Sequence, residues 1–257
     1  MPDLLDDRRF QTALRNGDQV AGTFITAGGP PVVEICGAAG LDFVILDTEH
    51  TPVGWETLAA MTASALLFGT FPIIRVGTTR QDLVTRALDT GARGVMFPQV
   101  ADAAEANTAA RACRYPPDGT RGAASTRIQS WGLAGPMSDY APRANEAVVC
   151  IVQLESASAI DQVDEIAAVP GIDCLFVGLA DLSMDLGHPG ALRHPDVDAA
   201  LDRVIEAATR NSIPVGIPLG DLDHAGEYVS RGVRLFTTTD RGVMAKGMTA
   251  YRSRFPA

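Results

Sequence analysis

Short apolar runs recur along the chain at nearly even spacing, and this recurrence restricts the fold more than any other feature. They lie at 21–26 (AGTFIT), 43–48 (FVILDT), 72–77 (PIIRVG), 94–100 (GVMFPQV), 147–154 (AVVCIVQL), 174–179 (CLFVGL), 214–219 (PVGIPL) and 235–239 (LFTTT). Most are continuous rather than alternating, which is the pattern of strands buried on both faces of a parallel sheet. Between them, 55–68, 80–89, 102–113, 158–168 and 196–210 carry apolar residues at three- and four-residue spacing and predict helices. Gly91 and Gly232 stand where a left-handed residue would end a helix before the next strand. Strand–helix alternation sustained over 257 residues predicts an α/β protein, a (β/α)8 TIM barrel forming a single domain over 1–257. An open doubly wound sheet is the alternative, but no G-x-G-x-x-G follows the first run. Segments 114–146 and 183–196 are rich in Gly, Pro and polar residues and predict loops at a rim or a subunit contact, with Trp131 as an interface or lid anchor.

Composition removes several kinds of chemistry. The net charge is −10, so phosphate backbones and anionic lipid are repelled, which predicts no nucleic-acid or membrane partner. Lys246 is the only lysine. It is followed by Gly247 and Met248, so it closes no P-loop, and it falls in 241–253, predicted as a peripheral last helix. An imine-forming enzyme needs a lysine in the active site, so that route is disfavoured. Cys36, Cys113, Cys150 and Cys174 form no Cys-x-x-Cys pair; Cys150 and Cys174 sit in apolar runs and read as core, as does Met96. No stretch reaches 18 uninterrupted apolar residues, and the segment MPDLLDDRRF has no apolar leader region, which predicts a cytoplasmic protein.

Barrel enzymes carry their reacting groups at the C-terminal ends of the strands. Here those ends hold Asp47, Glu49 and His50, then Arg75, Gln99, Gln153 with Glu155, Asp181, Asp221 and Asp240. Glu155 and Asp181 follow neighbouring apolar runs. Two adjacent carboxylates repel unless one is protonated or a cation lies between them. With no Cys or His trio nearby, Mg²⁺ or Mn²⁺ suits the pair better than zinc. The plainer alternative is that Glu155 caps the next helix and Asp181 pairs with an arginine. Asp47 and His50 could form a carboxylate–imidazole pair for proton transfer. Equally, Asp47 or Thr48 could cap a turn, with His50 on the surface ahead of Pro52. Arg75 interrupts an apolar run and needs an anion, either a substrate or the carboxylate of Asp47 or Glu49. Glu49 is expected to point away and serve structurally. His188 and His194 read as solvated loop residues.

Five segments in order along the chain resemble the HpcH/HpaI family of class II pyruvate aldolases: LDTEH at 46–50, IIRV at 73–76, RYPPDGTRG at 114–122, VQLES at 152–156 and VGLADLS at 177–183. The resemblance implies a (β/α)8 barrel assembled as a homohexamer, a trimer of dimers that exchange the last helix. It also implies C–C bond formation and cleavage between a pyruvate-type keto acid and an aldehyde, through a metal-stabilised enolate. On this resemblance Glu155 and Asp181 are the metal ligands for Mg²⁺ or Mn²⁺, and Asp47 with His50 the acid/base pair. Arg75 contacts the keto or enolate oxygen, Gln153 lies near the metal, and the amides of Ala180 and Asp181 hold the donor carboxylate. Thr48 stands where the family has Gly and Leu179 where it has Pro, departures expected to affect substrate choice more than reaction type. Two alternatives remain: a related barrel lyase acting on acyl-CoA esters, and a catalytically silent barrel that binds a keto acid.

Overall fold

The structure, a computed structural model, describes residues 5–220 and 222–255; Asp221 lies outside the described residues. Strands β1 (Val20–Ile25), β2 (Phe43–Asp47), β3 (Phe71–Arg75), β4 (Gly94–Phe97), β5 (Val149–Leu154), β6 (Cys174–Val177), β7 (Val215–Pro218) and β8 (Val233–Thr239) pair in sequence order, and β8 returns to β1 to close a parallel barrel. The helices are α1 (Arg9–Asn16), α2 (Pro30–Ala38), α3 (Trp55–Leu67), α4 (Gln81–Asp89), α5 (Ala103–Ala112), α6 (Met137–Ala147), α7 (Ala157–Asp161), α8 (Val163–Ala167), α9 (Leu179–Asp185), α10 (Pro195–Arg210), α11 (Ala225–Arg231) and α12 (Asp240–Arg252). The predicted (β/α)8 fold is therefore the observed one. No described helix is long and apolar enough to cross a membrane.

Period-two geometry divides the strand residues between two cores. Phe24, Phe43, Ile45, Phe71, Ile73, Met96, Val149, Ile151, Cys174, Phe176 and Leu235 fill the inside of the barrel. Their neighbours, including Val44, Leu46, Ile74, Val95, Cys150, Val152, Leu175 and Val177, face outward onto Leu58, Val84, Ala109, Leu201 and Val204 of the helices. Each fully buried aliphatic side chain of this kind contributes roughly 1.5–3 kcal/mol. α1 closes the N-terminal end: Phe10 stacks on Phe71 with ring centroids 4.4 Å apart and tilts against Phe43 at 5.3 Å. The opposite end is left to polar residues.

Some local expectations are corrected. Segment 114–146 is not all loop, because α6 occupies its end and a 3-10 turn spans Arg127–Gly132. Pro142 lies inside α6 and hides the helical pattern, while Tyr140 and Ala144 bury against Tyr115 and Ile128. The helix expected over 158–168 breaks at Gln162 into α7 and α8. The proposed 183–196 loop is shorter, since α9 reaches Asp185 and α10 starts at Pro195. β4 stops before Pro98, which has no N–H for the ladder, and Gln99 follows with φ of 56°. Lys246 lies on α12, exposed and donating to the Gly220 carbonyl at 2.6 Å, just past the C-terminal end of β7.

Candidate active site

The barrel's own pleat aims the site. Phe43, Ile45 and Asp47 share one face of β2; Phe71, Ile73 and Arg75 share one face of β3; Val149, Ile151 and Gln153 share one face of β5. The apolar members fill the barrel, so the last member of each series caps it with a polar side chain. Asp47 and Arg75 are register partners on adjacent strands. Their side chains consequently stand together, and the guanidinium meets the carboxylate through two parallel bonds, Nε to Oδ1 at 2.9 Å and Nη2 to Oδ2 at 2.8 Å. Nη1 lies 3.0 Å from Glu49 Oε2, and the guanidinium packs over the Phe24 ring at 4.8 Å. Both Arg75 and Asp47 are buried. Burial raises the Asp47 pKa, but the bonds and charge of Arg75 outweigh it and hold the carboxyl below its ordinary range.

Glu49 therefore points into the site rather than away from it, a correction to the expectation. The reason lies in the turn after β2: Asp47 Oδ1 accepts the Glu49 amide at 3.0 Å, which folds the chain back and turns the Glu49 carboxylate onto Arg75. His50 is exposed, and its Nε2 sits 3.6 Å from Glu49 Oε2. Both Asp47 oxygens are bonded to Arg75, so the structure joins Asp47 to Arg75 and places His50 beside Glu49. Thr48 spends its hydroxyl on the Arg75 carbonyl at 2.7 Å, and its amide reaches the same oxygen at 3.0 Å. Its extra atoms thus pin the β2–β3 edge. Leu179, the other departure, is buried in the outer core.

Glu155 stands one step beyond Gln153 and is held from two sides. The Gln99 amide donates to Oε1 at 2.8 Å, and Gln153 Nε2 donates to Oε2 at 2.7 Å. The left-handed backbone at Gln99 turns that amide toward the carboxylate. Ser156, not Glu155, caps α7, accepting the Ala159 amide. Burial, together with the charges of Asp181 and Glu49, pushes the Glu155 pKa up to about 7. Gly178 makes room for this arrangement: a Cβ there would lie 2.4 Å from Glu155 Oε2 and 2.9 Å from Gln153 Nε2. Asp181 is exposed in the first turn of α9, and it has no arginine partner among the described residues. Glu155 and Asp181 line one open cleft of about 470 Å³ with Gln99, Ser156, Met184 and Asp185. The first-turn amides of Ala180 and Asp181 have no intrahelical acceptor.

A divalent cation fits these residues. The donors are carboxylate oxygens on one cleft, Glu155 is pushed toward protonation by burial and then by the charges of Asp181 and Glu49, and the buried Gln153 Oε1 has no hydrogen-bond partner beside them. Asp240, by contrast, is consumed structurally: it accepts the amides of Thr26, Ala27, Gly28 and Arg241 and the Thr26 hydroxyl. Parity along β2, β3 and β5 was the signal that could have placed Asp47, Arg75 and Gln153. The Gln99 amide, the Gly178 clearance and the Glu49 clamp had no such signal.

The C-terminal end of this parallel barrel thus gathers carboxylates, glutamines and a clamped guanidinium. A sequence model of the family described as HpcH/HpaI aldolase/citrate lyase matches residues 21–243, and the chain belongs to that family. It is 38% identical over 232 residues to a hydroxypyruvate/pyruvate aldolase of Paraburkholderia phytofirmans, covering 88% of each chain. It is also 38% identical over 211 residues to a 2-dehydro-3,6-dideoxy-6-sulfogluconate aldolase of Pseudomonas putida, covering 82% of each. The crystal structure of an HpcH/HpaI aldolase/citrate lyase family protein from Burkholderia cenocepacia superposes with a TM-score of 0.90 at 37% identity, covering 95% of this chain and 97% of that one.

Proposed function

We propose that the protein is a divalent-metal-dependent aldolase that makes and cleaves the C3–C4 bond of 2-keto-4-hydroxy acids. The donor is pyruvate or hydroxypyruvate and the acceptor an aldehyde, in keeping with the names of its aldolase relatives. The observation that carries this reading is the buried Arg75, clamped by Asp47 and Glu49 at the mouth that Glu155 and Asp181 share.

Glu155 and Asp181 would hold Mg²⁺ or Mn²⁺, which supplies Lewis acidity toward a bound 2-keto acid. The protein's own groups do the rest. Arg75 keeps N–H groups on its Nη atoms beyond the one bonded to Asp47, and these would face the negative charge that grows on the C2 oxygen as the enolate forms. Because the clamp fixes the guanidinium beforehand, little reorganisation accompanies the reaction. The free amides of Ala180 and Asp181 suit the donor carboxylate. Gln153 orients Glu155 through Nε2 and leaves Oε1 for a water or substrate hydroxyl. His50, exposed at the rim beside Glu49, takes the proton from the C4 hydroxyl in cleavage and returns it in synthesis.

A homohexamer with an exchanged last helix belongs to the same proposal. α12 buries only Asp240, while Val243, Met248, Tyr251 and Phe255 expose apolar surface that a second copy would cover. The four cysteines are free and buried, in keeping with a cytoplasmic location. The test is cleavage of a 4-hydroxy-2-keto acid, read as pyruvate released. Chelation should abolish it and Mg²⁺ or Mn²⁺ restore it; undiminished cleavage after exhaustive chelation would contradict the reading.

A further inference from the structure

His188 and His194 come together where sequence gave no reason to join them. The loop between α9 and α10 folds back through bonds from the His188 amide to the Ser183 carbonyl at 2.7 Å, from the Ala191 amide to the His188 carbonyl at 3.0 Å, and from the His194 amide to the Ala191 carbonyl at 2.9 Å. The two imidazoles then stack, with centroids 3.4 Å apart and planes 18° apart. Asp196, in the first turn of α10, faces both rings: its Oδ2 is 2.7 Å from His188 Nε2 and 3.5 Å from His194 Nδ1. One ligand atom from each of the three residues lies within 4.8 Å of the others.

Ligands held at about 2.0–2.2 Å from one ion stand roughly 3–4 Å apart, so the ligand atoms are close to the needed separation and the exposed side chains supply the rest by rotating about their χ angles. In the stack the in-plane lone pairs run nearly parallel, so both rings reach one ion only by turning out of the stack toward Asp196, which lies against both. All three side chains are partly exposed, at 28%, 35% and 63% of their area, which leaves an entry path and room for water ligands. An ion here replaces the proton between His188 and Asp196 and takes the Nδ1 lone pair of His194 from the Asp196 amide, a long 3.2 Å bond.

We propose that His188, His194 and Asp196 form a second divalent-cation site, distinct from the carboxylate cleft. Two imidazoles and one carboxylate prefer borderline ions such as Zn²⁺ or Co²⁺ and discriminate against Mg²⁺, the reverse of an all-oxygen site. A bound ion clips the loop to the start of α10, and through the loop braces α9, which carries Asp181 and Asp185 to the cleft.

The probe is Co²⁺ alone, titrated into the full chain after any purification tag is cleaved off. The double variant Glu155→Gln/Asp181→Asn removes the carboxylate cleft as a competitor. It should bind one Co²⁺ per chain, with visible d–d absorption, and excess Mg²⁺ should not displace it. Adding His188→Asn and His194→Asn should abolish that binding; Asn can still cap α10, and unchanged far-UV circular dichroism verifies the fold. Absence of binding in the double variant, displacement by Mg²⁺, or binding that survives both histidine substitutions would each overturn the proposal.

Discussion

At the scale of single residues, the site depends on where charge is held before substrate arrives. Arg75 is buried with its guanidinium bonded to Asp47 and ion-paired with Glu49, so its position owes nothing to substrate. Arg75→Ala should slow turnover about 10²–10³-fold, the usual loss for an oxyanion-facing donor, and also lower stability by stripping the buried Asp47 of its partner; steady-state cleavage kinetics on the folded protein and thermal melting check the two effects. Gly178→Ala is a sharper probe because it adds one methyl group, in collision with Glu155 Oε2 at 2.4 Å. It should cost about 1–3 kcal/mol in stability and most of the cleavage activity, measured by thermal melting beside the kinetic assay. The residues at strand ends were legible in the sequence because period-two parity carries Asp47, Arg75 and Gln153 out of the barrel core. The orientation of Glu49 was not, because it is set by a turn in which Asp47 accepts the Glu49 amide.

Among elements, the joint between β1 and α12 is held by one carboxylate. Burial pushes the Asp240 pKa up, but the Thr26, Ala27 and Arg241 hydrogen bonds outweigh this and hold it below its ordinary value of 3.8. A carboxyl whose pKa is depressed on folding favours the folded state above its unfolded value and loses that contribution as pH falls through the folded value. Stability should therefore drop below about pH 4 in the parent more than in Asp240→Asn, whose side chain does not titrate. At pH 7 the same substitution should cost on the order of 2–4 kcal/mol, since backbone amides lose a charged acceptor. Denaturant melts at pH 7 and pH 3 measure both. Strands and most helices were readable from periodicity. The exceptions have physical causes: Pro142 masked α6, Gln162 split one helical run in two, and α2 begins on Pro30-Pro31, a pair that reads as a loop until one sees it at the first helical positions.

For the whole molecule, the barrel is complete within one chain, yet α12 is held mainly by its first residue and exposes a row of apolar side chains. If the proposed homohexamer forms through this face, Met248→Asp with Tyr251→Asp should yield smaller species than the parent while leaving far-UV circular dichroism unchanged, as read by sedimentation velocity; a parent that sediments as a monomer would contradict that proposal. The general shape was legible because eight buried parallel strands have few closed arrangements, whereas the cleft's depth depends on loops that periodicity does not describe. The chemistry is tested most directly by deuterium exchange into the methyl group of pyruvate, followed by proton NMR without any aldehyde. Exchange should require Mg²⁺ or Mn²⁺, cease on chelation, and be lost in Glu155→Gln. Exchange that proceeds equally well in the chelated protein would contradict enolate formation at this carboxylate cleft.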